Sequence, residues 1–233
     1  MLSTPTRIPP LESGDHLSRA EFERRYEAMP DLKKAELVEG VVYMGSPLRV
    51  RSHGEPHANL LIWLGVYKIS LPGLVLADNP TVRMDAKNEL QPDIVLFVPG
   101  QQAMISEDDY IEGSPELIVE IAASSASLDL HEKKEVYRRN QVREYIVWRT
   151  LEGGLDWFTL QAGSYSSLEP DENGILKCAT FPGLWLDRQA LLNQQMTRVL
   201  EVLQQGIQSP EHSKFVQLVQ QVPQEIKGEE SNS

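Results

Sequence analysis

Two stretches decide how this chain reads: Gln91-Pro92-Asp93-Ile94-Val95-Leu96-Phe97-Val98 and Pro115-Glu116-Leu117-Ile118-Val119-Glu120-Ile121-Ala122. Both are short runs rich in β-branched residues. Both are apolar on the two faces that alternate along a strand, the pattern of strands covered from both sides. Each holds one carboxylate out of keeping with its neighbours. Asp93 opens the first strand behind Pro92, and Glu120 shares its face with Ile118 and Ala122. An ionised carboxylate so placed loses hydration unless a cation, a metal or hydrogen bonds replace it. Two on neighbouring core strands call for a shared cation, and all-oxygen donors suit a hard ion, Mg²⁺ or Mn²⁺, rather than zinc.

Downstream, Ser124–Ser127 turn the chain and Asp129-Leu130-His131-Glu132 has the spacing of a helix cap, predicting a helix to about Asn140. Lys133 falls near its first turn and Tyr137 lies four residues on, along the same face. The amine can therefore reach back over the sheet edge. Two readings stand open at this point. In one, Asp93 and Glu120 hold a metal with Lys133 beside them. In the other, Asp93 caps a turn and Glu120 makes a structural ion pair with Lys133.

Further out, Ser18-Arg19-Ala20-Glu21 is a capping box opening a helix to about Met29, with Phe22 and Tyr26 on its apolar face. Residues 35–44 read as a strand or a hairpin bending near Gly40. Residues 55–69 read as an amphipathic helix with Leu60, Leu61, Leu64 and Ile69 inside. Strands are expected near 74–77, 81–85 and 92–98, an acidic loop over 100–115, and strands near 116–121, 144–148, 155–160, 164–168 and 175–180. A helix over 187–206 follows, then a loosely attached helix over 211–221. The organisation is an irregular arm over 1–17, one domain over 18–206 and a polar, partly disordered extension over 207–233. The fold class is α+β, a mixed sheet flanked by helices.

With 233 residues and 41% hydrophobic content, the chain can bury a real core. The single Cys178 excludes an internal disulfide and a multi-cysteine zinc site, so a reducing, cytoplasmic setting is expected. No stretch approaches the roughly 18 apolar residues of a membrane span, and Arg7, Glu12, Asp15 and Arg19 interrupt any signal core. The net charge of −12 argues against avid, non-specific coating of nucleic acid. Locally the balance reverses: residues 129–149 carry Lys133, Lys134, Arg138, Arg139, Arg143 and Arg149. No Gly-rich phosphate loop, dinucleotide fingerprint or nucleophile elbow is present.

The ordered set Gln91-Pro92-Asp93-Ile94-Val95, Pro115 to Ile121, then Ser124, Ser125, Asp129, Lys133, Tyr137 and Val142 to Val147, resembles the PD-(D/E)XK nuclease superfamily. It is most similar to that superfamily's large bacterial branch of putative restriction endonucleases. Glu36-Leu37-Val38-Glu39-Gly40, the helix beginning near His57 and Phe181-Pro182-Gly183-Leu184 fit the same branch, so the resemblance spans about residues 18–192.

The resemblance implies a restriction-endonuclease-like core and Mg²⁺-dependent hydrolysis of DNA phosphodiesters, with Mn²⁺ as a substitute ion. It makes Asp93 and Glu120 metal ligands together with the main-chain carbonyl of Ile121. The superfamily usually carries its lysine two residues after the glutamate, where this chain has Ala122; the branch supplies it from the next helix, as Lys133. Glu36 is expected in the same cluster, in competition with Glu39. Gln91, His57 and Tyr137 are supporting candidates, and Arg138 and Arg139 are candidate phosphate contacts. Cutting both strands of a duplex needs two active centres, so a homodimer is expected, with the β-rich segment 150–186 as a pairing surface. The alternative is a non-catalytic binding or regulatory module retaining the nuclease fold.

Overall fold

Ser18 opens the first helix as its cap: in the computed structural model, which describes residues 7–45 and 47–220, its hydroxyl accepts the Glu21 amide at 3.4 Å. The helix, α1, spans Arg19–Glu27. Glu21 does not return the favour to Ser18. It pairs with Arg24 and Arg25 along the helix instead.

Ala35–Val38 (β1) and Val41–Met44 (β2) form an antiparallel hairpin. Its two turn residues, Glu39 and Gly40, have φ of 54° and 77°, the left-handed pair that matches strand twist in a two-residue turn. A π-helical turn, Val50–Gly54, leads into α2, Glu55–Ser70. Then come β3 (Val75–Asp78), β4 (Val82–Asp85), β5 (Asn88–Leu90), β6 (Ile94–Phe97), β7 (Ala103–Ile105), β8 (Ile111–Gly113) and β9 (Leu117–Ala122). A helical segment follows in three parts: α3 (Ala126–Leu128), a π-turn at Asp129–Lys133, and α4 (Lys134–Arg139). The remaining elements are β10 (Glu144–Arg149), β11 (Gly154–Gln161), β12 (Ser164–Ser167), β13 (Ile175–Lys177), β14 (Trp185–Asp187), α5 (Arg188–Leu192), α6 (Met196–Ile207) and α7 (Pro210–Gln220).

The strands make two mixed six-stranded sheets, β2-β1-β5-β4-β8-β7 and β12-β11-β10-β9-β6-β3, plus the β13-β14 pair. The expected single central sheet is thus accompanied by a second one. In the latter of the two large sheets, β9 lies between antiparallel β6 and parallel β10. Strand alternation sends Leu117, Val119 and Ile121 to one face, where α2 and α6 cover them with Leu60, Trp63, Leu64, Val199 and Leu203. Ile118 and Ala122 go to the other face, packing with Val95, Val147, Tyr145, Tyr137 of α4 and Val38 of β1. Glu120 must point into that second layer. The layer is closed by α4 on one side and the first sheet on the other.

Several expectations change. The acidic loop at 100–115 contains two strands, β7 and β8, each of three residues. β5 is also new. Ile69, expected inside, is 82% exposed, because at 3.6 residues per turn it falls on the side of α2 opposite Leu60, Leu64 and Tyr67; Trp63 and Tyr67 fill the buried face instead. The helix expected over 187–206 is broken: Asp187 caps α5, and Gln194, with φ of 59°, turns the chain before α6 begins. Asp129 is no cap, since the chain is helical from Ala126 onward and Asp129 is buried within it. The helix beyond Gly206 is packed rather than loose: Phe215 of α7 meets Phe181 edge-on, and the His212 ring nitrogen stands 2.9 Å from the Pro182 carbonyl. Within the expected arm, Leu11 is buried against Phe22 and Val42. Residues 1–6 of that arm and 221–233 of the extension lie outside the described residues. Among the described residues no helix is long and apolar enough to cross a membrane.

Candidate active site

Pro92 has no N–H to donate, so the β6–β9 ladder ends as it enters the strand. The Asp93 side chain takes over there: its Oδ2 accepts the Ile121 amide at 2.7 Å. This bond places Asp93 beside Glu120 on the adjacent strand. Asp93 is 4% exposed and Glu120 3%.

Lys133 comes down onto them from the π-turn ahead of α4. Its Nζ donates to Glu36 Oε1 at 2.9 Å and to Glu120 Oε1 at 3.1 Å, and stands 3.6 Å from Asp129 Oδ1. The Tyr137 hydroxyl, one turn further on, donates to the same Glu120 oxygen at 2.8 Å. The hairpin supplies Glu36, whose side chain shares the inward face of β1 with Val38. Its Oε1 also accepts the main-chain amide of Gln91 at 2.9 Å. Ser125 donates to Asp129 Oδ2 at 2.5 Å, and the Tyr145 hydroxyl donates to the Asp129 carbonyl at 2.9 Å. Three buried carboxylates, Glu36, Glu120 and Asp129, therefore surround one buried ammonium, with Asp93 beside them on the adjacent strand.

The charges are unequally satisfied. Burial pushes the Glu120 carboxyl up to about 8, with Asp129, Asp93 and Glu36 adding to the rise and Lys133 opposing it. Burial likewise raises Asp129. At Glu36 burial is outweighed by Lys133, Lys34 and the Gln91 amide, which hold the carboxyl below its ordinary value. At Lys133 burial is outweighed by Glu120, Glu36 and Asp129, which keep the amine charged well above its ordinary range. Lys133, Lys34 and the Gln91 amide together satisfy Glu36, while Glu120 is left short of positive charge.

Of the candidates read from the sequence, the structure brings together Asp93, Glu120, Lys133, Glu36 and Tyr137, with the Ile121 main chain next to Asp93. Glu39 is turned away and pairs with Arg139. Gln91 joins through its backbone; its side chain donates to the Tyr26 hydroxyl at 3.1 Å and to Thr81 at 3.3 Å. His57 lies at the edge, its Nε2 3.1 Å from the Asp93 carbonyl and 3.1 Å from Asp78 Oδ1. Arg138 and Arg139 stand outside the cluster, committed to Glu135 and Glu39. Three further members had no such role in the sequence: Asp129, His53 and Lys34. His53 Nε2 and Lys34 Nζ each stand 3.6 Å from Asp93 Oδ1. Asp129 stood in the set Ser124, Ser125, Asp129, Lys133 and Tyr137 that carries the resemblance, without a role of its own, whereas no pattern marked His53 or Lys34.

The donor chemistry fits a hard divalent ion. Carboxylate oxygens and a carbonyl are present, and Glu120 lacks compensating charge. Among the described residues no three His, Cys, Asp or Glu groups form a ready-made cage. Such a cage is not what Mg²⁺ requires. It is commonly held by one or two carboxylates, with waters and substrate phosphate oxygens completing its shell.

A crystal structure of a putative nuclease from Anabaena variabilis has the same fold. It matches with a TM-score of 0.55 at 14% identity, covering 73% of this chain and 96% of that one. No curated protein matches the chain. The family model described as a putative restriction endonuclease, Uma2, matches residues 19–189, from the first turn of α1 into α5 and across every residue of the acidic cluster. That match covers most of the chain, and the chain belongs to the Uma2 family.

Proposed function

We propose that the chain is a metal-dependent nuclease that hydrolyses phosphodiester bonds of DNA. The observation that carries this reading is the excess of buried carboxylate over buried cation around Lys133. It is supported by membership of a family described by its nuclease character. Asp93, Glu120 and the Ile121 carbonyl would hold Mg²⁺, or Mn²⁺ in its place. When bound, such an ion supplies Lewis acidity toward a phosphate oxygen and lowers the pKa of water. Lys133 would orient the attacking water and stabilise charge gathering on the phosphorus. Glu36 and Asp129 hold the ammonium in place and keep it protonated. Tyr137 fixes the Glu120 carboxylate against rotation.

The net charge restricts the contact with DNA to a local one. With Arg138 and Arg139 drawn to Glu135 and Glu39, phosphate contact by them requires those pairs to open. Double-strand cleavage further implies a homodimer, which a monomeric mass by light scattering would overturn. Incubation with supercoiled and single-stranded DNA in Mg²⁺ or Mn²⁺, beside Asp93→Ala and Glu120→Ala, tests the reading. Metal-dependent cutting that disappears in both variants is expected.

A second reading has one observation in its favour. Lys133 already pairs with Glu36 and Glu120 without a metal, which is how a non-catalytic relic of the fold would neutralise its acids. A folded wild-type protein that neither cuts any substrate nor binds metal by calorimetry would establish that reading instead.

A further inference from the structure

His53 is a buried group that the mechanism above leaves unused. It sits in the turn Val50–Gly54 ahead of α2 and is 6% exposed. Its Nδ1 stands 3.3 Å from the Ile121 main-chain oxygen, where a hydrogen on that nitrogen donates to the carbonyl. The hydrogen on Nδ1 leaves a lone pair on Nε2. Nε2 is buried, has no hydrogen-bond partner, and stands 3.6 Å from Asp93 Oδ1. Two lone-pair donors thus face each other across a buried gap. Such an arrangement is stable only with a proton or a cation between them. A proton on Nε2 serves poorly, because 3.6 Å is beyond good hydrogen-bond length.

The neighbouring cations do not fill the gap. Lys133 is engaged with Glu36 and Glu120. Lys34 approaches the same Asp93 oxygen only to 3.6 Å, on a side chain 27% exposed. His57, on the next turn, has its Nε2 occupied by the Asp93 carbonyl and Asp78.

We propose that His53 Nε2 is a ligand of the divalent ion held by Asp93, so that the centre takes a mixed nitrogen and oxygen donor set and favours Mn²⁺ over Mg²⁺. The proposal rests on the metal-dependent reading above and goes beyond it in the ligand and in the ion. A ligating imidazole characteristically gives its other N–H to a backbone carbonyl or a carboxylate, which fixes the tautomer and aims the free nitrogen. His53 and Ile121 have that relation. The Ile121 carbonyl also accepts the Ala123 amide at 3.1 Å, so its entry into the donor set beside His53 would displace one of those two bonds. Mg²⁺ strongly prefers oxygen, whereas imidazole suits first-row transition ions.

The test titrates MnCl₂ and MgCl₂ separately into the full chain by calorimetry, for wild type, His53→Ala, His57→Ala and Asp93→Ala. Pulsed electron paramagnetic resonance of the Mn²⁺-loaded protein adds a direct readout of bound ¹⁴N. Expected are tighter binding of Mn²⁺ than of Mg²⁺, ¹⁴N modulation in wild type and His57→Ala, and its loss in His53→Ala. His53→Ala should also lower Mn²⁺ affinity by about tenfold or more, with a smaller effect on Mg²⁺. Binding that Asp93→Ala abolishes, but without ¹⁴N modulation in wild type, overturns the His53 ligand and leaves the metal-dependent reading standing. That spectrum needs no variant to fold. Failure of wild type to bind either ion overturns both.

Discussion

Lys133 shows most clearly what one residue does here. It is 3% exposed and is the cation for three buried acids. Removing one partner of a buried ionic group is costly because the others stay behind uncompensated, by about 3–5 kcal/mol. Lys133→Met, which keeps the length and removes the charge, is therefore expected to lose about that much in urea unfolding near neutral pH. Adding Glu36→Gln and Glu120→Gln to it should recover a large part, since neutral amides leave no stranded charge. A Lys133→Met protein as stable as wild type would show that the acids are not held in place by the amine. Tyr137→Phe removes one hydroxyl donor from Glu120 and is expected to cost about 1–3 kcal/mol by the same measurement. The residues that make this cluster were unequally legible. Asp93 and Glu120 stood out because a carboxylate in an apolar strand is an anomaly at any single position, and Lys133 and Tyr137 followed from helical spacing. Asp129 was hidden by its likeness to a helix cap, and His53 by lying in a stretch with no hydrophobic period to place it.

At the scale of elements, the site depends on helices that do not contain its acids. α2 follows directly from the turn carrying His53 and bears His57 near its start. Its Trp63 indole donates to the Trp185 carbonyl at 3.0 Å and its Tyr67 hydroxyl to the Pro182 carbonyl at 2.9 Å. The turn that receives these bonds is backed by α6, where Gly206 lies against Gly183. A Cβ at Gly206 would collide with the Gly183 carbonyl and come within 2.8 Å of the Trp185 ring. Gly206→Ala is accordingly expected to destabilise the fold by about 1–3 kcal/mol, the range for overpacking a well-filled contact. It would be read as a lowered midpoint in thermal melting. An unchanged midpoint would mean that α6 can shift without loss, and that the layer over α2 is not closely fitted. Such contacts explain why the helix after β14 was misread from sequence. Residues 187–206 have continuous helical composition, and only tertiary packing decides that the chain turns at Gln194. The three-residue strands β5, β7 and β8 escaped for another reason. A period of two cannot be seen in three residues, and pairing with long neighbours supplies what their own sequence lacks.

On the scale of the whole molecule, the excess of acid extends inward from the surface. Glu89 of β5 is 4% exposed, and its nearest cation, Arg83, is shared with Glu23, Asp108 and Glu112. Burial, with Glu23 beside it, pushes the Glu89 carboxyl up to about 8 from an ordinary value of 4.5, against the pull of Arg83 and Arg19. Across that window the folded chain holds a proton there that the unfolded chain has released. The unfolded state therefore binds fewer protons, and stability falls as pH rises. The contribution is fully present below 4.5 and is lost as pH climbs through about 8. The limiting slope is about 1.4 kcal/mol per pH unit for one group. Burial raises Glu116 in the same direction. The acids held low by partners, such as Glu39 with Arg139 and Asp171 with Lys177, act oppositely, but their window lies below the ordinary carboxylate value. Between pH 5 and 8 the raised acids decide the slope, and the folded protein should be more stable at pH 5.5 than at pH 8.5. Glu89→Gln, which lies outside the metal-binding cluster, removes this one contribution while keeping the side chain's shape. It is expected to flatten the dependence and to be more stable than wild type at pH 8.5 in urea unfolding, with little gain at pH 5. Parallel curves for the two proteins across the range would show that Glu89 is ionised in the folded state, and that Arg83 alone suffices for the acids around it.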